Sequence, residues 1–188
     1  MDYGHSPLSE HLLKIILPEE EIQARVWEIA RQITAHYQAQ NACNLVVVGI
    51  LRGAVVFMSD LIRRIPLPLT IDFMAISSYG GSTISSGAVR ILKDISEAIE
   101  GQHVLVVEDI VDSGLTMRSL LDILWARKPH SLALCSLLNK PSRRKIEVPL
   151  DFCGFDIPDE FVVGYGLDYA GRYRHLPYIG VLKPEIYL

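Results

Sequence analysis

The stretch VLVVEDIVDSGLTM, residues 104–117, determines which fold this 188-residue chain is expected to have. Its first four residues are apolar, which is typical of a strand covered on both faces of a sheet. Beyond the polar residues that follow, apolar residues recur at helical spacing, at Met117, Leu120, Leu121 and Leu124. The stretch therefore predicts a buried strand, a short loop and a helix, which is the unit from which parallel sheets are built.

The rest of the chain repeats this alternation of strands and helices. Further strands are predicted at residues 45–51, 69–77, 89–95 and 131–138. Helices are predicted from Pro18 to Tyr37 and around Met58 to Ile65. We therefore expect an α/β fold with a mostly parallel twisted sheet and helices on both of its faces.

The length and composition favour one domain over residues 1–188, because no change in composition divides the chain. Residues from about 141 to 188 contain short strands and turns but no long helix. Together with the N-terminal segment, they are expected to form a smaller lobe beside the sheet.

Charge and cysteine content limit the partners and the compartment. A net charge of -4 argues against a general electrostatic grip on nucleic acid and favours small ligands. The three cysteines lie far apart and include no C-x-x-C pair, so a reducing cytosol fits better than an oxidising compartment. No apolar run approaches the ~18 residues that a membrane span needs. We therefore expect a cytoplasmic protein that is not bound to a membrane.

The loop after residue 107 contains groups that suit a ligand. Glu108 and Asp109 are expected just beyond the carboxyl end of a strand, where open parallel sheets bind ligands. Ser113, Gly114 and Thr116 lead into a helix N-terminus, whose free N–H groups suit phosphate. Two acids at a strand end are, taken alone, more often solvated loop residues.

Two common nucleotide-binding patterns do not apply to this chain. It contains no G-x-x-x-x-G-K-[ST] phosphate loop. The segment GYGLDYAG at 164–171 has Tyr169 where a dinucleotide fingerprint requires its third glycine.

The loop instead resembles the phosphoribosyl diphosphate (PRPP) loop of the type I phosphoribosyltransferases, and among them the hypoxanthine-guanine phosphoribosyltransferases. The pattern is an apolar run, two acids, two apolar residues and then DSGLT at 112–116. Four other segments match this family in order: GILRGAVVF at 49–57, SSYGGST at 77–83, SLLNK at 136–140 and DFCGFDIPDEFVVGYGLDY at 151–169.

The resemblance explains why a phosphate-binding loop is acidic. It implies that Glu108 and Asp109 accept hydrogen bonds from the ribose hydroxyls of PRPP or reach a nearby Mg²⁺. It also implies a cradle for the 5′-phosphate, formed by Asp112, Ser113, Gly114, Leu115 and Thr116. Mg²⁺ is the implied cofactor, because the departing diphosphate carries several negative charges.

The resemblance further implies roles for residues that contact the base. Asp112 would accept the proton at purine N7, although an Asp at this position also suits a helix N-cap. Lys140 would bind the 6-oxo group, although a lysine there also suits the solvated end of a strand. Phe161 would stack on the purine and Val162 would offer backbone groups to its edge, although both also suit strand core.

The remaining implied site residues concern the diphosphate and the closing loop. Asp168 matches a position that holds a second Mg²⁺, although it also suits an ordinary turn. Arg174 and the turn at Arg52-Gly53 match contacts to the diphosphate, with Arg52 standing where relatives often have Lys. The Leu51-Arg52 peptide bond is implied to be cis. Ser78-Tyr79 would lie on a loop that closes over the reaction and excludes water.

The resemblance thus implies a purine salvage enzyme that transfers phosphoribosyl from PRPP to hypoxanthine or guanine, with the smaller lobe binding the base. Its partners would be these small substrates and further copies of the chain, in a homodimer or homotetramer. Two alternatives stay open. One is a regulator of the same fold that binds PRPP or a nucleotide without catalysis. The other is a related enzyme that uses xanthine, adenine or a pyrimidine.

Overall fold

The structure is a computed structural model that describes residues 8–78 and 89–187. Its strands are β1 (Leu12–Leu17), β2 (Leu45–Leu51), β3 (Leu69–Ser78), β4 (Val89–Lys93), β5 (His103–Val111), β6 (Ser131–Asn139), β7 (Phe152–Asp156), β8 (Val162–Val163) and β9 (Ile179–Leu182). Its α-helices are α1 (Glu19–Ala39), α2 (Val55–Ile62), α3 (Leu115–Trp125) and α4 (Pro184–Tyr187). Short 3-10 turns occupy Ser9–His11 and Pro141–Arg143.

A six-stranded sheet forms the centre of the molecule, in the order β4-β3-β2-β5-β6-β7. Strands β3, β2, β5, β6 and β7 all run parallel to one another, and only β4, at the edge beside β3, runs antiparallel. Helices cover both faces of this sheet, as the alternation along the sequence predicts. The predicted fold class is therefore confirmed.

The apolar run of β5 shows how the sequence places a helix on each face. Leu105 and Val107 belong to a core cluster that also contains the buried residues of α1 and α2. Val104 and Val106 belong to a second cluster, which contains the buried face of α3. Since successive side chains of a strand point to opposite faces, a run without polar residues has to be covered twice.

A second, three-stranded antiparallel sheet has the order β1-β9-β8. It joins the N-terminal part of the chain to residues 162–182, the two parts that were predicted to form a smaller lobe. The third core cluster packs against it and includes Val163, Tyr173 and Tyr178. Strand β7 also lies within the predicted lobe range, but it pairs with β6 in the large sheet. The division into lobes stays a prediction.

Strand β5 is longer than its apolar run. Its pairing with β6 continues through Glu108 and Ile110 to Val111, which lies opposite Asn139. The expectation that Glu108 and Asp109 follow the strand was therefore wrong, because hydrophobicity reports burial and not backbone pairing. No helix in the described part of the chain is long and apolar enough to cross a membrane.

The contact between β6 and β7 supplies a stability prediction. A Cβ atom added to Gly154 would lie 2.2 Å from the carbonyl oxygen of Leu137, a backbone atom that cannot rotate away. Gly154→Ala should lower the free energy of unfolding by about 1–3 kcal/mol, measured by urea denaturation. The control is Gly101→Ala, because a Cβ there meets nothing within 4 Å and only its φ of +71° is unfavourable. An equal loss in both variants would contradict the steric explanation.

Candidate active site

The loop between β5 and α3 begins the candidate site. Gly114 is the N-cap of α3 and has a left-handed φ of +83°, a conformation that favours glycine. No side chain caps this helix, so the alternative interpretation of Asp112 as an N-cap is wrong. The Leu115 N–H lies 3.4 Å from Ser113 Oγ, which accepts its hydrogen bond. The loop therefore presents the N-terminus of α3 without an aspartate bound to it.

A neighbouring segment holds this loop in place. The backbone N–H groups of Lys145 and Ile146 both donate to the carbonyl oxygen of Ser113, at 2.9 and 3.2 Å. A Cβ atom at Gly114 would lie 2.4 Å from the carbonyl oxygen of Ile146. Gly114 is thus required by its conformation and also by the closeness of this segment.

A cavity of about 260 Å³ opens beside the loop. Its lining includes Glu108, Asp112, Ser113, Gly114 and Thr116. Another cavity, of about 280 Å³, is lined by residues of α3, β6 and the segment before β7, and by none of the predicted site residues. We place the candidate site in the first cavity, because the groups that suit phosphate and ribose meet there.

Glu108 and Asp109 form a pair of adjacent, half-buried carboxyl groups. Glu108 Oε1 accepts from the Asp109 N–H at 3.1 Å, and Asp109 Oδ1 accepts from the Ile110 N–H at 2.7 Å. Burial, followed by the nearby charge of Asp109, raises the pKa of Glu108 well above its usual range. Within residues 8–78 and 89–187, no basic side chain pairs with either acid. A hard divalent cation would offset the cost of burying two charged carboxylates and would reduce the repulsion between them. The pair therefore fits Mg²⁺.

Gly53 brings the predicted diphosphate turn against this acid pair. A Cβ atom at Gly53 would lie 1.4 Å from Asp109 Oδ2 and 2.4 Å from Asp109 Cγ. Gly166 lies on the other side of Gly53, where a Cβ atom added to Gly166 would lie 2.1 Å from the carbonyl oxygen of Gly53. The Leu51-Arg52 peptide bond before this turn is cis, as the resemblance implies. Arg52 itself is exposed.

The turn that contains Gly166 is anchored to the helices on one face of the large sheet. The Tyr165 hydroxyl donates to Asp60 Oδ2 of α2 at 2.6 Å, and Gln23 of α1 donates to the same oxygen at 2.8 Å. Burial and the hydrogen bond to Asp60 raise the pKa of Tyr165, so its hydroxyl stays a donor. The anchor fixes the position of Gly166 over Gly53.

Asp168 and Arg174 bind each other. Arg174 Nη2 lies 2.6 Å from Asp168 Oδ1, and Arg174 Nη1 donates to the carbonyl oxygen of Gly166 at 2.6 Å. The Gly171 N–H donates to Asp168 Oδ2 at 2.7 Å, a contact that fits the alternative of a turn aspartate. In the described chain, Asp168 forms no cluster of three metal-ligating side chains with Glu108 and Asp109.

Lys140 is buried at the end of β6, so it is not the solvated strand end of the alternative interpretation. Its ammonium group donates to the carbonyl oxygen of Glu160 at 2.7 Å. Its backbone N–H donates to the carbonyl oxygen of Val111 at 3.0 Å, next to Asp112. The structure thus brings Lys140 to the residue beside the predicted proton acceptor.

Phe161 and Val162 behave differently although they are neighbours. Val162 is buried in β8, where it pairs with Val181. Phe161 is 38% exposed, so it is not strand core. Its ring stacks on that of Tyr187, with ring centres 4.7 Å apart, and meets the edge of Tyr169. The predicted loop residue Tyr79 lies outside the described residues, and Ser78 is described only as the last residue of β3.

Sequence reasoning missed two residues of this site. Gly166 was given no role of its own, although the spacing of glycines in GYG indicates a turn with unusual backbone angles. Arg143 was not considered at all, yet its Nε lies 2.9 Å from Asp112 Oδ1. No pattern in the sequence pointed to that contact.

Gly53→Ala tests how the turn and the acid pair are connected. The added methyl group should displace the Asp109 carboxylate and weaken PRPP binding by on the order of tenfold, because a buried charge-assisted contact is lost. Isothermal titration calorimetry of the parent, Gly53→Ala, Asp109→Ala and the double variant measures this. If Gly53 acts through Asp109, the second substitution adds little to the first. Fully additive losses would contradict the proposed connection.

Comparison with known proteins agrees with this geometry. Residues 14–170 match the family model of the phosphoribosyl transferase domain. The hypoxanthine phosphoribosyltransferase of Salmonella typhimurium is 53% identical over 171 residues, which are 91% of this chain and 96% of that protein. The crystal structure of a Staphylococcus aureus hypoxanthine phosphoribosyltransferase superposes with a TM-score of 0.94 at 49% identity, covering 98% of this chain and 99% of the other.

A longer relative is also similar. The bifunctional protein TilS/HprT of Listeria monocytogenes is 49% identical over 184 residues, which cover 98% of this chain but only 28% of that protein. Because the family model matches most of the chain, and relatives of similar length match it nearly end to end, the chain belongs to the phosphoribosyl transferase domain family, among the hypoxanthine phosphoribosyltransferases.

Proposed function

We propose that this chain transfers the 5-phosphoribosyl group of PRPP to hypoxanthine or guanine, forming IMP or GMP and diphosphate in purine salvage. One observation supports the proposal: the phosphate loop and Glu108 line one cavity at the end of β5, and the backbone of buried Lys140 is bonded to Val111 in the lining of the same cavity. Each of these groups suits a different part of the two substrates.

The reaction replaces one bond at C1′ of the ribose with another. The bond from C1′ to the diphosphate oxygen breaks, and the electron pair leaves with the diphosphate. A ring nitrogen of the purine forms the new bond to C1′, and the base gives up one proton. Asp112 accepts that proton at N7, since its side chain lines the cavity and is 42% exposed.

The phosphate and ribose of PRPP are bound by neighbouring parts of one segment. The N-terminus of α3, with Ser113 and Thr116, offers donors to the 5′-phosphate. Glu108 and Asp109 offer acceptors to the ribose hydroxyls. Their negative charge also favours the positive charge that develops on the ribose as the diphosphate departs.

Glu108 and Asp109 would also hold Mg²⁺, with Asp168 and its partner Arg174 near the diphosphate. When bound, the ion supplies neutralisation of the charge on the leaving diphosphate. Asp168 would first have to release Arg174, whose guanidinium would then be free to contact the diphosphate.

The base is recognised by Lys140, Phe161 and Val162. The Lys140 ammonium keeps one hydrogen bond to Glu160 and has further donors for the 6-oxo group. Phe161 offers an exposed ring for stacking, and Val162 offers its backbone. These features favour an enzyme over a regulator that binds only PRPP, because such a regulator has no use for a buried lysine at the base position. A homodimer or homotetramer in the cytoplasm is part of the same proposal.

Incubation with PRPP, Mg²⁺ and each common nucleobase tests the proposal. With hypoxanthine or guanine, one molecule of diphosphate should form for each molecule of nucleotide. Product with xanthine or a pyrimidine alone would move the enzyme to a different substrate class. PRPP binding without product from any base would favour the regulator.

The role of Asp112 predicts a defect in chemistry more than in binding. Asp112→Asn keeps the shape of the side chain but removes the proton acceptor, so kcat should fall by ~10²–10⁴ with little change in the KM of PRPP. Single-turnover kinetics isolate the chemical step. Asp122→Asn, on the exposed face of α3, is the matched control and should leave kcat unchanged. A loss of less than a few-fold at Asp112 would remove it from the mechanism.

The role of Lys140 predicts the choice of base. Its donors bind a 6-oxo group but oppose the 6-amino group of adenine, so kcat/KM should favour hypoxanthine over adenine by on the order of 10⁴. Lys140→Ala should reduce that ratio sharply by lowering kcat/KM for hypoxanthine. Lys145→Ala removes a nearby exposed charge and should keep the ratio. Undiminished selectivity in Lys140→Ala would show that other groups choose the base.

A further inference from the structure

Four side chains form a row of alternating charge, which begins at Asp112 in the lining of the cavity. Arg143 Nε lies 2.9 Å from Asp112 Oδ1. Arg143 Nη1 lies 3.2 and 3.3 Å from the two carboxylate oxygens of Asp159. Asp159 Oδ1 in turn lies 3.8 Å from Lys140 Nζ. The two ends of the row are the groups assigned to proton transfer and to base recognition.

We infer that Arg143 and Asp159 are positioning residues, which hold the proton acceptor Asp112 and the base-binding Lys140 in fixed relation to each other. This inference rests on the proposed function of those two end residues. Neither Arg143 nor Asp159 needs to touch the substrate to perform this role.

The backbone places Arg143 where it can reach Asp112. Arg143 ends the 3-10 turn that directly follows Lys140, and its N–H donates to the Lys140 carbonyl oxygen at 3.1 Å. This turn folds the chain back, so that the guanidinium group returns to the loop after β5. On the other side, Asp159 precedes Glu160, whose carbonyl oxygen binds the Lys140 ammonium. The two positioning residues therefore lie on the segments that already contact the end residues.

The two oxygens of Asp112 have different surroundings. Oδ1 is buried and has no hydrogen-bond partner in the described chain, although Arg143 Nε is close, so the contact is an ion pair without hydrogen-bond alignment. The side chain as a whole is 42% exposed. Its accessible surface thus lies away from Oδ1, and Oδ2 is the oxygen that a purine proton can reach. Arg143 fixes which oxygen faces the substrate.

The guanidinium group is suited to this task because it is itself held. Hydrogen bonding to Asp159, followed by the charges of Asp112 and Asp159, raises the pKa of Arg143. About half of each of these two side chains is exposed, Arg143 at 50% and Asp159 at 51%. Exposed ion pairs add little to the free energy of unfolding. We therefore expect the row to affect catalysis without affecting stability.

Steady-state kinetics of Arg143→Gln, Arg143→Lys, Asp159→Asn and the Arg143→Gln/Asp159→Asn double variant test the inference. A misplaced catalytic group costs up to about 10² in rate, and we expect Arg143→Gln to lower kcat about tenfold while the KM of PRPP stays within about twofold. Arg143→Lys should recover part of kcat. The double variant should lose less than the product of the single losses, because both act through one row.

The control is Arg127→Gln, which breaks the exposed pair formed by Arg127 and Asp94 at 2.8 Å. It should change neither kcat nor KM. An unchanged kcat in Arg143→Gln would overturn the inference. The inference would also be overturned if a rise in the KM of PRPP accounted for the whole loss of kcat/KM in Arg143→Gln, because Arg143 would then be a phosphate ligand. If Arg143→Gln lowered the free energy of unfolding enough to account for its loss of kcat, the role of Arg143 would be structural and the inference would be overturned.

Carbodiimide labelling of carboxyl groups, followed by mass spectrometry, tests the row without any turnover. Arg143→Gln should increase the labelling rate of Asp112 and Asp159 severalfold, while the rate at exposed Asp122 stays constant as an internal control. Equal labelling in parent and variant would overturn the inference even if the proposed reaction is correct. Increased labelling in Arg143→Gln, together with a parent protein that makes no nucleotide, would support the row and refute the proposed function.

Discussion

The absence of a side chain at Gly53 is the constraint on which the rest of the site depends. Its backbone lies against Asp109 on one side and against Gly166 on the other, and a single methyl group would overlap with the Asp109 carboxylate. Three segments that are far apart in the sequence meet at this point. The turn after β2, the end of β5 and the turn after β8 are therefore held at distances that no larger residue permits. The Gly53 backbone lies directly against the Asp109 side chain and the Gly166 backbone, so the spacing of these segments leaves no room for a larger residue at position 53.

This arrangement allows negative and phosphate-binding groups to occupy one segment. The acids lie within β5, where backbone pairing with β6 continues as far as Val111. The donors begin later, at Ser113 and the N-terminus of α3. In the proposed function, the strand holds the carboxylates for the ribose, and the N-terminal N–H groups of the helix bind the phosphate. Repulsion between the acids and the phosphates is limited by this separation and by the cation that the acid pair fits.

Much of the fold could be predicted from the sequence because burial leaves a periodic signal. The apolar runs of β2, β5 and β6 and the helical stripes of α1 and α3 are all confirmed. The end of β5 was placed too early, since pairing leaves no hydrophobic signal once the residues become polar. The site residues were predicted through a resemblance to a family, because burial patterns alone do not identify them. The contact of Arg143 with Asp112 could not be predicted, because it depends on how a short turn folds back in space.

If Lys140 binds the base as proposed, the choice between a 6-oxo and a 6-amino purine depends on how firmly Lys140 is held. Glu160 satisfies one of its three donors, so a substrate that lacks an acceptor does not leave the ammonium without any partner. The penalty for adenine then comes mainly from the opposition of two donors, and it is large only if the ammonium cannot turn away. Asp159, the Glu160 carbonyl and the burial of the stem restrict that movement. The proposed role of Lys140 therefore makes selectivity a matter of the rigidity around its ammonium group as much as of its charge.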